Sequence, residues 1–589
     1  MKTMSILAVL VLASGPVAGA EPPKPIRIAA VSLAWDQGQR TLAHALAALD
    51  EAARAGADLA CLPAECVYQP AEPIDGPTFR AIAAAAGRHK MNVVANLREL
   101  AGGKVHVTSF LCNRDGKIVG AYRKSHRLPY ENDFTPGDTL PVFATDIGPI
   151  GMTIGTDRYF PEIDAVLKRR GARLIVRSTS PEPVRDEHLA SLPLRGRAVD
   201  YRLWYAVARY AGKKDYGGYR ASFSWQCRWP LGRAQVIDPD GHTRADSGHR
   251  GGVAMATLPA GTLDGRVRGG GLATSGTYAL ITAEKLPAPM PRTPGMKRTI
   301  RAAAIESEHN MDRLIAKLDT CGRAGCDIVC LWEYVWYHGD DQVAKFRARN
   351  RRRLARIAEA AKRHRMYVVI AGELERGFNE AILYDRSGKE FGRYTKINQT
   401  TSKDSKHYRA GKRVGIFDLD FGRICVKVCA DVYSAEIDRV AALHQVDLML
   451  LPTQDCGPFT DHTRQRDSRR CVDDGYFLLR AACPIRASDH RTYIMDPWGM
   501  VLAGSQYRTN NEPIIATLRL DNRPKYHEWP PAVRKAGPYP DPYKRGVDAK
   551  ALANMYSPRP SPVPGGDLRA ILLRCRRPAL YRPAPKPAR

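Results

Sequence analysis

Three residues in the second half of the chain have types that together could break and form an acyl bond. Glu333 follows the apolar run "DIVCLW", Lys396 lies in "GRYTKIN", and Cys429 follows "RICVKV". A thiolate attacks a carbonyl carbon once a base has taken its proton, and a nearby cation lowers the thiol's pKa. A carboxylate can take that proton and later hand it to a leaving amine. An ammonium can hold the oxyanion that forms on the carbonyl oxygen. Singly, each residue is ordinary. A Cys after an apolar strand is usually packing, and a strand-end Glu or Lys is usually surface. The ordered set is what points to acyl transfer, because α/β folds present reactive groups where strands end.

The elements that must position this set occur twice. The first half opens "PIRIAAVSLAWDQGQRTLAHALAALDEAARAGADLACLPAE" and the second "TIRAAAIESEHNMDRLIAKLDTCGRAGCDIVCLWE". Both read as strand, amphipathic helix, turn, then buried strand ending in an acid. "KMNVVANLREL" matches "RMYVVIAGELE", "DGKIVGAYRKSHR" matches "SGKEFGRYTKINQ", and "VIDPDG" matches "IMDPWG". The offset is 268 at Glu65/Glu333, 272 at Lys124/Lys396 and 274 at Gly155/Cys429. A steady offset of this size means tandem duplication of a whole domain, not a short repeat. Short apolar strands alternating with longer helical patterns make each half α/β. A Pro-rich joint at 286–297 separates the halves, and a Pro-rich basic tail fills 526–589.

The combination "LWE", "RYTKIN" and "VKVCADVYSAE" resembles the carbon–nitrogen hydrolase family, or nitrilase superfamily. The first half resembles it through "LPAE", "YRKSHR", "ENDFTPGD", "FPEID" and "RGRAVDYRLWYAVARYAG". The likeness covers nearly all of residues 25–285 and 298–525. It implies two tandem αββα sandwiches and a Glu–Lys–Cys triad needing no cofactor. Carried over, Cys429 is the nucleophile, Glu333 the general base, Lys396 the oxyanion cation, and the Ala430 backbone N–H a second oxyanion donor. The first half matches at Glu65 and Lys124, but Gly155 stands at the nucleophile position, so that copy is expected to be silent. Thr156 offers a hydroxyl one position on and is expected to point elsewhere. Family members carry a further Glu in the loop after the Lys. Glu131 fits that place, whereas the second half has Ser405 there with Asp404 beside it. His126 and Asn398, two after the lysines, are expected to support the loop. Asp431 follows the nucleophile by two, as in amidase-like members, which favours amides over nitriles.

Composition bounds the rest. At 589 residues, two domains are expected. "MKTMSILAVLVLASGPVAGA" has the layout of a leader cleaved after Ala20, so the chain is expected to be exported, periplasmic or extracellular. No later stretch is apolar enough to span a bilayer. All thirteen cysteines follow the leader, so at least one is unpaired. Cys321, Cys326 and Cys330 have a metal-like spacing, but the aligned Ala52, Ala57 and Cys61 read as packing, so no metal is expected. A net charge of +29 favours anionic surfaces or substrates. No nucleic-acid signature accompanies it. The run from Arg347 reads as an exposed helix with one apolar stripe. The Arg, Lys and His of "WYHGDDQVAKF", "TTSKDSKHY" and "TQDCGPFTDHTRQRD" point to an anionic small amide as substrate. The halves are expected to pair within the chain or as a homo-oligomer. The expected function is an amidase working through a thioester. The alternative is an exported, catalytically degenerate basic binding protein that keeps the fold, and acyl transfer to an amine is a further one.

Overall fold

The computed structural model describes residues 24–522, apart from 35–40, 128–130, 132, 180–186, 212, 216–227, 231–232, 249, 265–280, 282, 284, 307, 309, 335–342, 376, 400–407, 455–460, 484–491 and 506–511, together with 576–581. The leader, Asp404, Ser405, most of the C-terminal tail and much of "WYHGDDQVAKF", "TTSKDSKHY" and "TQDCGPFTDHTRQRD", the expected walls of a pocket, lie outside the described residues.

Eight helices of nine or more residues appear among the described residues: α1 (Leu42–Arg54), α2 (Pro77–His89), α3 (Pro161–Arg169), α4 (Glu187–Tyr201), α5 (Met311–Arg323), α6 (Val343–His364), α7 (Ala435–Leu443) and α8 (Asp461–Asp474). The two halves build their first helices alike. Thr41 caps α1 by accepting from the His44 N–H, and Ala45, Leu49 and Ala52 recur at helical spacing to face the core. Asn310 caps α5 by accepting from the Asp312 and Arg313 N–H groups, and Leu314, Leu318 and Cys321 repeat the stripe.

In the second half, one six-stranded sheet runs in the order Glu390–Thr395, Phe378–Tyr384, Tyr367–Glu375, Ile328–Tyr334, Thr299–Ala304, Ile514–Arg519. Another runs Gly415–Leu419, Gly422–Val426, Leu448–Thr453, Phe477–Ala482, Tyr493–Met495, Val501–Gly504. Apolar side chains of both sheets, such as Ile300, Val369, Val426 and Leu450, share one core between them. The outer face of the first sheet packs on α5 and α6 through Leu318, Ile357 and Trp332. The outer face of the second packs on α7 and α8 through Ala441 and Cys471. Helices thus cover two stacked sheets, which leaves the central strands buried on both sides and explains their continuous Val/Ile/Leu runs. The first half has counterparts of these strands in the same order and adds a two-stranded ribbon, Lys213–Asp215 with Arg228–Pro230. Ser32, Leu33 and Ala34 pair in parallel with Arg209, Tyr210 and Ala211, which stitches its two sheets into a single twelve-stranded one.

The halves meet through α3, α4, α7 and α8, with α4 lying along α8. Ile163 and Val166 of α3 share an apolar core with Ile437 and Val440 of α7. Around it runs a buried charge network with two-fold character. Arg197 donates to Asp164 of its own half at 2.8 Å and to Asp473 of the other at 3.1 Å. Arg470 does the same with Asp438 at 2.8 Å and Asp200 at 2.8 Å. These residues are equivalent by the repeat, so the same patch faces itself, as at a two-fold interface. Gly196 is the equivalent of Arg469, and a Cβ on it would come within 2.6 Å of that arginine's side chain. One copy therefore keeps a glycine to admit the aliphatic stem of the other's Arg469, whose guanidinium bonds Asp200 and Asp473. Ions this deep are tolerable only when paired.

Candidate active site

The second half brings Glu333, Lys396 and Cys429 to neighbouring ends of its two sheets. Glu333 sits near the end of the strand Ile328–Tyr334, Lys396 directly follows Glu390–Thr395, and Cys429 lies three residues beyond Gly422–Val426. Glu333 and Lys396 are each 2% exposed. Both Glu333 oxygens are occupied. Oε1 accepts from Lys396 Nζ at 3.1 Å and from Asn379 Nδ2 at 2.7 Å. Oε2 accepts from the Gln454 backbone N–H at 3.0 Å. The carbonyl of Gln454 in turn accepts from the Cys429 thiol at 3.7 Å. The backbone of one residue therefore links acid and thiol. Burial pulls the Lys396 pKa down, but the charges of Glu333, Cys429 and Asp431 outweigh it and raise it, so the group stays an ammonium.

The backbone at Cys429 is strained. Cys429 opens a 3₁₀ turn, Cys429–Tyr433, with φ at +45°. A side chain there costs about 1–2 kcal/mol, which a fold retains when the position has a use. Asp431 holds the turn in place. Its carboxylate accepts from the Val428 N–H at 2.9 Å, the Asn398 N–H at 2.8 Å and the Tyr394 hydroxyl at 2.6 Å. Asp431 so ties the thiol's turn to the lysine's loop, and burial raises its pKa. The Asn398 side chain joins the same carboxylate at 3.1 Å, which is the loop support expected of it. Ala430 is buried within the turn.

The first half keeps this frame and rewires its contents. Gly155 has φ at +48°, the same left-handed conformation as Cys429, which glycine adopts without strain. Asp157 holds the turn as Asp431 does, accepting from the Ile154 N–H at 3.0 Å and the Tyr122 hydroxyl at 2.7 Å, and burial pushes it up to about 6. Lys124, also buried, pairs with Glu131 at 2.6 Å, and the Thr156 hydroxyl donates to the same Glu131 at 2.7 Å, which settles where that hydroxyl points. Glu65 is elsewhere: it accepts from Arg98, which also binds Asp133. The cause is one residue. Cys61 and Cys330 hold equivalent register positions beside Val94 and Val369. Glu65 comes four residues after its Cys and Glu333 three after, so Glu65 falls in a turn with φ at +49° and not in the strand. Val107, whose carbonyl accepts from the Lys124 N–H, stands where Asn379 receives the Lys396 N–H, so the amide that holds Glu333 has no counterpart.

Sequence reading missed Asn379 and Gln454. Asn379 looks like any polar residue in "FNEAILY", and Gln454 acts through its backbone, which no side-chain motif records. Cys321, Cys326 and Cys330 are buried packing residues, and among the described residues no group of three or more His, Cys, Asp or Glu is placed to hold a metal ion. No helix among the described residues is long and apolar enough to cross a membrane.

The sequence profile of the carbon–nitrogen hydrolase family matches residues 27–265 and again 297–527. Nitrilase homolog 2 of Dictyostelium discoideum is 30% identical over 211 residues, 32% of this chain and 64% of that protein. The chloroplastic omega-amidase of Arabidopsis thaliana is 26% identical over 254 residues, 39% of this chain and 66% of its own length. The chain thus spans about two thirds of the length of these curated relatives. Omega-amidase NIT2 of Bos taurus is 26% identical over 237 residues, 37% of this chain and 82% of that protein. Among solved structures, Saccharomyces cerevisiae Nit3, a member of branch 10 of the nitrilase superfamily, is 23% identical with a TM-score of 0.35, covering 41% of this chain and 93% of that one.

Proposed function

Because the chain belongs to the carbon–nitrogen hydrolase family, with the domain present twice, we propose that it is an amidase with one working site, in its second half. In this reading Glu333 takes the Cys429 proton, and the thiolate attacks the amide carbon. Lys396 and the Ala430 N–H stabilise the oxyanion, Glu333 returns the proton to the departing ammonia or amine, and water releases the acid from the thioester. The observation that carries it is the contrast between copies. Acid, ammonium and thiol converge through Glu333–Lys396 at 3.1 Å and the backbone N–H and carbonyl of Gln454 in one half, while the other half has a glycine for the thiol and its Glu65 turned to Arg98. The omega-amidases among the relatives support amides over nitriles, and the net charge of +29 supports an anionic amide.

The rest of the reading follows. Residues 25–285 form the silent copy and 298–525 the working one, paired within one chain across the Arg197 and Arg470 networks. The chain is exported and loses its leader after Ala20. N-terminal sequencing of secreted material tests the leader, and solution scattering tests the pairing, where an extended two-body envelope would count against it. Ammonia release from a panel of small amides, carbamoyl compounds and nitriles tests the activity. Release from amides that disappears in Cys429→Ala is expected. No release from any, with Cys429 inert to alkylation, would instead favour a degenerate binding protein.

A further inference from the structure

The segment Arg576–Tyr581 lies against the first half, far in sequence from everything it touches. Tyr581 is fully buried and belongs to the apolar core that α3 and α7 share. Its hydroxyl is 2.6 Å from His126 Nε2, and its ring is parallel to the imidazole at 5.8 Å between centroids. His126 itself stacks on Phe160 at 4.1 Å. The Tyr581 carbonyl accepts from Arg169 at 3.2 Å. Arg577 donates to the carbonyls of Ser125, at 2.8 Å, and Gly137. Arg576 donates to Glu162 at 3.3 Å and to the Ile281 carbonyl. The same oxygen of Glu162, Oε1, accepts from Arg439 of the second half at 2.7 Å.

The slot is made from the loop that carries Lys124. The second half shows that loop in another use. There Asn398 turns its amide inward onto Asp431 at 3.1 Å, Ile397 stands for Ser125, and Ser434 stands for Phe160. That copy has neither the imidazole nor the ring that hold a tyrosine. The difference between copies, with six contacts to one short segment, is what a binding site acquired after duplication would leave.

We propose that the first half, which has glycine at the position of Cys429, is a receptor for the chain's own C-terminal segment. Its slot, built on Ser125, His126, Gly137, Phe160 and Glu162, takes the sequence Arg-Arg-Pro-Ala-Leu-Tyr as an intramolecular ligand. Two guanidinium groups read carbonyls and a buried carboxylate, and a tyrosine fills the aromatic end. Through Glu162 and Arg439 the docked segment bridges both halves at α7, which begins just after the turn that carries Cys429. The proposal rests on these contacts and not on which half is catalytic.

Hydrogen exchange on the full chain tests it. In the wild type, residues 576–581 are expected to exchange at least about 100-fold more slowly than the same sequence as a free peptide. Tyr581→Ala, and from the other side His126→Asn, are each expected to speed exchange about tenfold or more in both 576–581 and 122–127. Tyr581→Phe keeps the ring and loses one neutral hydrogen bond, so about fivefold is expected, in a variant that preserves packing. A complementary test adds a labelled peptide of residues 574–589 to the Tyr581→Ala chain, where binding is expected that the wild type does not show and that His126→Asn weakens at least about tenfold. Wild-type exchange at the free-peptide rate would overturn the proposal. So would loosening of 576–581 by Tyr581→Ala and Tyr581→Phe that leaves 122–127 as protected as before.

Discussion

Asn379→Leu is the substitution that most sharply probes the proposed role of Glu333 as a base. The amide donates to Glu333 Oε1 at 2.7 Å in a site where the carboxylate is 2% exposed. Leucine has nearly the same shape and no donor. A hydrogen bond to a buried charged group is worth about 1.5–3 kcal/mol, so removing it destabilises ionised Glu333 by that amount. At about 1.4 kcal/mol per tenfold, kcat/KM is expected to fall about 10- to 150-fold. Lys396 and Gln454 remain to keep the carboxylate in the site. The assay is ammonia release across pH, alongside the rate at which iodoacetamide alkylates Cys429. The alkylation rate follows thiol deprotonation without needing the natural substrate. A fall of less than about twofold would refute the reasoning, because a donor worth that little cannot be orienting a base.

Other expectations follow from the same contacts. Restoring a thiol with Gly155→Cys in a Cys429→Ala background is expected to give no ammonia release, since Glu65 is held by Arg98 and Lys124 by Glu131. Recovered turnover would show that the rewiring is reversible without further change. Arg470→Met leaves Asp438 and Asp200 buried without their shared partner and is expected to cost about 3–5 kcal/mol, read by urea unfolding. Asp496 accepts backbone N–H bonds from Trp498 and Met500, yet burial pushes it up to about 7. A carboxyl with a raised folded pKa gives stability that is present at low pH and lost as pH rises towards that value. Asp496→Asn is therefore expected to gain on the wild type between pH 4 and 7 by up to about 4 kcal/mol and to level off above. Unfolding curves at matched pH values check the sign, and a pH-independent difference would contradict it.

The duplication and the family were legible because they are written in side chains. Apolar stripes at helical spacing recur at Ala45, Leu49, Ala52 and at Leu314, Leu318, Cys321, and strand-end residues recur at near-constant offset. Gly155 was legible for the same reason: its alignment with Cys429 is a spacing, and both positions adopt the left-handed conformation. What stayed hidden acts through backbone, register or long range. One extra residue before Glu65 leaves a plausible motif in the sequence while turning the carboxylate away from Lys124. Asn379 reaches Glu333 from one strand, and the Gln454 N–H reaches it from just past the end of another, Leu448–Thr453. His126 reads as a loop residue until Tyr581 arrives from 455 positions away. The fusion of the first half's sheets depends on three residue pairs of register, which composition does not encode.

The central claim is that Cys429, and no group of the first half, carries the acyl intermediate. The most direct measurement is intact-mass and peptide mass spectrometry of the protein quenched during turnover of a slowly deacylating amide. The account predicts a single acyl adduct per chain, mapped to the peptide that contains Cys429 and absent from Cys429→Ala. An adduct that persists in Cys429→Ala, or that maps to the first half, would contradict it.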